Sequence, residues 1–531
     1  MAVFSLSALL LAVFSAGAPP RDTVPLYDNL GSYHRAITVN SPTAQRYFDQ
    51  GLRLLFGFNH GEAIRAFTEA SRIDPTCAMC YWGIAYAHGP HVNAGMDSAS
   101  GVAAYAAAQK AQSLSRSASP VERAFISVIT RRYARVPPAN RAGLDSGYAT
   151  AMCRVSTRFP DDLDAASLCA EAMMDLRPWN YWKQPGGEPY PGTVELVAKL
   201  EGVIRRNPEH PGACHLYIHA VEAVQPEKAV PCAERLAALM PGGGHMVHMP
   251  AHIYIRVGRY NDAVESNIHA VHTDESYIEE QKPQGVYPIG YYPHNLHFLA
   301  FAATMAGRSA QALEAARALR QKTNLDVARV EPMVQSFVPF LDLTLVNFGR
   351  WDEVLAQPLP PAELRYATTM AHYARGVAFA ATGKGADASA ELEQLKRLAA
   401  AASPADKPVA EIALHTLMGE IAQRSGKLDE AAAHYKAAIA IEDAGLYFEP
   451  PTWYYPVRHS LGLVLLQSGK SAEAEAVYRQ DLKRFPENGW ALFGLMQALR
   501  DQGKSAEAAA VDARFRAAWK QADVTLTASR F

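Results

Sequence analysis

The chain has 531 residues, 49% of them hydrophobic and 20% charged, with 51 Lys plus Arg against 53 Asp plus Glu. A single hydrophobic core does not ordinarily grow to this length, so several domains or a repeat array are expected. The composition excludes a disordered chain or a polytopic membrane protein, and a net charge of -2 lacks the basic surplus of a dedicated nucleic-acid binder.

From the N-terminus, Met1 to Ala18 is a continuous apolar and small-residue run ending in Ser15-Ala16-Gly17-Ala18. It resembles a secretory signal peptide, although no Lys or Arg precedes Arg21 and Pro19 follows the small-residue triplet. An uncleaved anchor is the alternative, since so short a run is marginal for a bilayer span. No later stretch is apolar enough to cross a membrane. Six cysteines, an even number, fit an oxidising compartment, so a secreted or periplasmic protein is expected. Cys77 and Cys80 form a CxxC at the start of a predicted helix, read either as a redox pair or as a structural disulfide or two buried thiols. Tyr81, not His, follows it, which argues against covalent haem attachment. Cys153 and Cys169 flank the Phe159-Pro160-Asp161-Asp162 turn almost symmetrically, so two antiparallel helices would bring them together as a disulfide.

Internal repetition is the strongest signal. A Gly-Lys or Gly-Arg turn followed by small and acidic helix-opening residues recurs at Gly258, Gly307, Gly349, Gly383, Gly426, Gly469 and Gly503, at intervals of 49, 42, 34, 43, 43 and 34 residues. The segments Gly469-Lys470-Ser471-Ala472-Glu473-Ala474 and Gly503-Lys504-Ser505-Ala506-Glu507-Ala508 are identical. Apolar residues at helical spacing precede these turns, as in Leu461, Val464 and Leu465. In Gly61 to Pro75, the residues Ala63, Phe67, Ala70 and Pro75 stand at second-helix positions and at the closing proline of the tetratricopeptide repeat, which this unit resembles. The resemblance covers most of residues 41 to 520 and implies an all-α, right-handed superhelical solenoid of helix-turn-helix repeats. First helices would line a concave groove, and such grooves usually hold a peptide or a partner protein. Gln357-Pro358-Leu359-Pro360-Pro361 interrupts the pattern, and 399–407 is a second soft spot. The expected organisation is a signal peptide at 1–18, an N-terminal array at 19–355 and a C-terminal array at 364–531.

Ten of the 18 histidines lie between His210 and His297. Seven fall on predicted first helices: His215 and His219, followed by Glu222; His245, His248 and His252; and His294 and His297. Their spacings of three, four and seven residues place the imidazoles of each segment on one helix face. The 49-residue offset from Gly258 to Gly307 also carries His245 onto His294 and His248 onto His297. An offset of 33 carries His215 onto His248 and His219 onto His252. Repeat-equivalent histidines on successive first helices should converge on the inner surface. Pro250 falls inside the second segment; if the helix begins there, His245 and His248 lie in the Gly242-Gly243-Gly244 loop.

Neutral imidazoles in such numbers point to a transition metal. The expected ligand set is His215, His219, His248 and His252, with His245, His294, His297 and Glu222 as further ligands or outer-sphere partners. Glu222 is alternatively a general base on metal-bound water. Met246 and Met249 beside the histidines favour copper, with zinc or iron as alternatives, although Met246 points about 100° away from His245 on a helix and core packing is its plainer role. Trp179 and Tyr292 are the candidate substrate-pocket aromatics. No phosphate loop, dinucleotide fingerprint, GxSxG elbow or HExxH is present. Three functions remain: a metal-dependent oxidoreductase or hydrolase, a non-catalytic interaction scaffold, and a periplasmic copper- or zinc-handling protein.

Overall fold

The computed structural model describes residues 24–184 and 186–531, so the expected signal peptide lies outside the described residues. Helical hairpins follow one another along the chain, and no strand beyond isolated bridges forms among the described residues. Two compact units result. Of the described residues, the first comprises those from 24 to Ile253 together with His269–Tyr292, and the second comprises Tyr254–Ile268 with Pro293–Phe531.

In the first unit, α1 (Pro42–Phe56), α2 (His60–Ile73) and α3 (Ala78–Ala87) stack in sequence. Capping sets their limits: Ser41 accepts from the Ala44 N–H with Pro42 at the first helical position, and Asn59 accepts from the Glu62 N–H. Phe67 of α2 fills the space left by Gly51 of α1 and Gly83 of α3, where a Cβ would stand 2.6 and 2.5 Å from its ring. Further on come α4 (Ala142–Arg158), α5 (Leu163–Asp175), α6 (Thr193–Arg206), α7 (Pro211–Val221), α8 (Val230–Leu239) and the five-residue α9 (Gly244–His248). A disulfide joins Cys153 of α4 to Cys169 of α5, a second closes Cys77–Cys80, and a third, Cys214–Cys232, ties α7 to α8. An extended segment, residues 24–41, straps these hairpins together. Its Arg35 guanidinium bonds Asp162 and Asp164 at 2.7 Å each, and Thr38 bonds Glu122 at 2.6 Å through both its N–H and its hydroxyl.

The chain passes between the units within α10 (Pro250–Arg256), within α11 (Tyr260–Gln281), and at the start of α12 (Tyr292–Met305). In the second unit the seven turn glycines all have positive φ, between 65° and 80°. Each lets the following Arg or Lys N–H reach a carbonyl five residues back, as in Lys470 to Leu465 at 2.8 Å and Lys504 to Leu499 at 3.0 Å. The prolines of 357–361 separate the helices Trp351–Ala356 and Arg365–Ala381. Near the C-terminus, α13 (Arg458–Gln467), α14 (Ser471–Arg484), α15 (Gly489–Asp501) and α16 (Ser505–Ala518) form two hairpins. Tyr478 of α14 sits against Gly462 and Gly494, which are bare of side chain where its ring passes.

The last residues return across this unit. The buried Arg530 guanidinium lies 3.8 Å over the Tyr455 ring, donates to Asn347 Oδ1 at 2.6 Å and donates to the Tyr454 hydroxyl at 3.0 Å. Ser529 bonds the His459 carbonyl and the Tyr478 hydroxyl. Because each of those partners is buried, Arg530→Ala is expected to cost about 2–4 kcal/mol, read as a lower denaturant midpoint at unchanged far-UV circular dichroism.

Candidate metal centre

The histidine segments do fall on the first helices of successive hairpins: His215 and His219 on α7, His245 and His248 on α9, His252 on α10. Pro250 has no N–H to offer a preceding carbonyl, and the helix breaks at Met249, between α9 and α10. The break is slight. Met249 N–H still reaches the His245 carbonyl and His252 N–H reaches the Met249 carbonyl, so His248 and His252 keep one face across it.

Three of the rings, His215, His219 and His252, have Nδ1 tied back and Nε2 aimed at another imidazole. His215 Nδ1 donates to the Phe56 carbonyl at 2.6 Å, which leaves a lone pair on its Nε2. Glu222 accepts from two rings on different helices: His219 Nδ1 at 3.4 Å and His252 Nδ1 at 2.7 Å. The aimed nitrogens then meet in pairs, His215 Nε2 with His219 Nε2 at 3.1 Å and His248 Nε2 with His252 Nε2 at 2.8 Å. His245 lies beside them, its ring 4.9 Å from His215 and 5.9 Å from His248, with neither ring nitrogen hydrogen-bonded. The four-histidine set expected to share one point is thus divided into two pairs. Groupings whose ligand atoms lie within 4.8 Å of one another include His215 with His219 and His245, and His219 with Glu222 and His252.

These six side chains are at most 3% exposed. Burial, reinforced by neighbouring imidazoles, holds His215, His219 and His245 well below the usual histidine range, so all three are neutral and in ligand form. Glu222, expected from sequence as a further ligand, an outer-sphere partner or a general base, has both oxygens engaged by imidazole Nδ1 atoms.

Of the other candidates, Trp179 stands edge-on to His219 at 5.0 Å. The Tyr292 hydroxyl is turned to Glu275 at 2.7 Å, and its neighbour Tyr291 is the ring that meets His245, at 4.6 Å. A π-helical turn, Tyr287–Tyr291, re-aims these tyrosines by one residue, which helical periodicity does not foresee. In the second unit, His297 packs edge-on against Phe340 at 4.2 Å and against Phe337 at 5.4 Å, and His294 stands 5.5 Å from Phe298.

Phe58, His60 and His91 carry no sequence signal that places them at this centre. Phe58 adopts a left-handed φ of 55° in the turn between α1 and α2, a costly conformation for a side-chain-bearing residue. Its ring lies 4.4 Å from His215, 4.6 Å from His91 and 5.7 Å from His245, packing the centre from the α1–α2 side. His60 and His91 lie tilted against each other at 4.3 Å beyond it, and burial, followed by the Arg132 charge, pushes His60 down to about 3. Asn59 caps the helix that begins at His60, and only the tertiary fold brings that helix start to histidines far along the chain.

Residues 456–480 and 489–511 match the tetratricopeptide-repeat family model, and the described residues form an all-α succession of helical hairpins. Among solved structures it is similar to the human IFIT1 dimer with m7Gppp-AAAA, at 12% identity over 92% of each chain and a TM-score of 0.31. It is likewise similar to the human IFIT1 dimer with PPP-AAAA, at 14% identity over 89% of each chain and a TM-score of 0.32. No curated protein matches the chain in sequence.

Proposed function

We propose that this is an exported repeat protein that binds a transition metal through histidines on the first helices of its central hairpins. The observation that carries the reading is the 3.1 Å approach of His215 Nε2 to His219 Nε2, while their Nδ1 atoms face a carbonyl and a carboxylate. Two neutral imidazoles set lone pair to lone pair repel each other, and an ion about 2.1 Å from each nitrogen turns the repulsion into ligation. The two nitrogens would subtend an angle of about 95° at such an ion, nearer the cis angle of a square-planar or octahedral ion than the tetrahedral angle, which leans towards copper or iron over zinc. The ion serves either a metal-dependent oxidation or hydrolysis, with Trp179 walling the site, or copper or zinc handling without turnover. Three disulfides, no free cysteine and no membrane-length apolar helix among the described residues support a secreted or periplasmic setting.

Elemental analysis of the purified protein tests this. A stoichiometric transition metal is expected, and it is lost from a folded His219→Ala, His252→Ala double variant. A wild-type protein that stays metal-free after incubation with Cu(II), Zn(II) or Fe(II) overturns the reading. That result leaves the second one, an interaction scaffold, which the tetratricopeptide match at 456–511 favours.

A further inference from the structure

We infer that the centre holds two metal ions, one on each histidine pair, with Glu222 as the single carboxylate that sets both; this rests on the metal-binding reading above. The two close nitrogen approaches are separate events on separate helices. His215 and His219 face each other across one turn of α7, and His248 and His252 across the α9–α10 break. In both, ring nitrogens stand at 2.8–3.1 Å, the separation of two cis ligands on one ion, and the bonds of His215, His219 and His252 Nδ1 leave the lone pair of each of those rings on its Nε2.

One ion cannot serve both pairs. It would draw all four Nε2 atoms to within about 4.2 Å of one another, twice a metal–nitrogen bond. The compact groupings instead join His215 and His219 to His245, and join His219 to His252 together with Glu222, with no grouping that holds all four histidines among the described residues. Glu222 supplies the second half of the argument. Its Oε1 accepts from His219 Nδ1 and its Oε2 from His252 Nδ1, so one member of each pair is held in the tautomer whose Nε2 ligates. The carboxylate spans two helices and fixes one ring of each pair. His245 completes the first set, its buried and unpartnered nitrogens lying beside His215 and on the side of His248. The chemical class is therefore a dinuclear transition-metal centre in an imidazole-rich, solvent-excluded site.

Titration of the metal-free protein with Co(II), followed by its d–d absorption and by elemental analysis after desalting, tests this. The expected result is an inflection at two equivalents per chain, and one equivalent retained by His248→Gln with unaltered circular dichroism. With Cu(II), the two-equivalent form should show dipolar broadening or loss of the paramagnetic resonance signal, which the His248→Gln form regains. A single equivalent in the wild-type protein overturns the two-ion inference and leaves the metal-binding reading standing. No bound metal overturns both. Should His248→Gln fail to fold, the wild-type inflection alone decides.

Discussion

Replacing Glu222 by glutamine is expected to leave the fold intact and to weaken metal binding about 10- to 100-fold, the usual penalty for losing a ligand-orienting partner. The carboxylate accepts from two Nδ1–H groups on two helices, His219 at 3.4 Å and His252 at 2.7 Å. An amide of the same shape has one accepting oxygen, and its NH2 donates. One of the two rings must therefore move its proton to Nε2 and lose the lone pair that would ligate. Isothermal titration with Cu(II) or Co(II), beside thermal melting of the metal-free forms, separates the outcomes. A melting temperature near wild type with an unchanged affinity would show that Glu222 does not set the tautomers. Glu222→Ala is a blunter change, because it leaves two buried N–H donors without their acceptor at about 1–3 kcal/mol each.

The second large effect is expected at Gly244. A Cβ there would stand 1.8 Å from Asp274 Oδ1 and 2.4 Å from Asp274 Cγ. Asp274 is fully buried and accepts from the Tyr287 hydroxyl at 2.8 Å, so its short side chain cannot swing aside without breaking that bond. The same hydroxyl takes the His245 N–H at 3.4 Å, which couples the clash to a histidine of the centre. Gly244→Ala should destabilise the protein by about 3 kcal/mol or more and lower metal occupancy with it. A denaturant midpoint within error of wild type would show that the loop relaxes freely.

Gly244 also illustrates how far sequence reading reached. Gly242-Gly243-Gly244 was legible as a loop, yet the reason for glycine at its ends is tertiary. Gly242 lies against the side chain of Asn29 and Gly244 against Asp274. Pro250 was legible as a break, and its consequence was decided by neighbouring backbone: bonds on either side of Met249 keep His248 and His252 aligned. The Cys214–Cys232 disulfide, which fixes α7 to α8 one residue before His215, had no local mark comparable to the turn between Cys153 and Cys169.

By itself the sequence determined what repeats locally. Glycines at the hairpin turns, all with positive φ in the second unit, and apolar spacing define the helices, and histidines three and four residues apart must share a helix face. What only the tertiary structure decided is which nitrogen of each ring is tied and which is aimed. That depends on partners distant in the chain: a carbonyl 159 residues from His215 and a carboxylate 30 residues from His252. Helical periodicity fixes where a side chain leaves the backbone. The tautomer, and with it the ability to ligate, is fixed by the hydrogen bond made behind the ring, and only the packing of one hairpin against another supplies that bond.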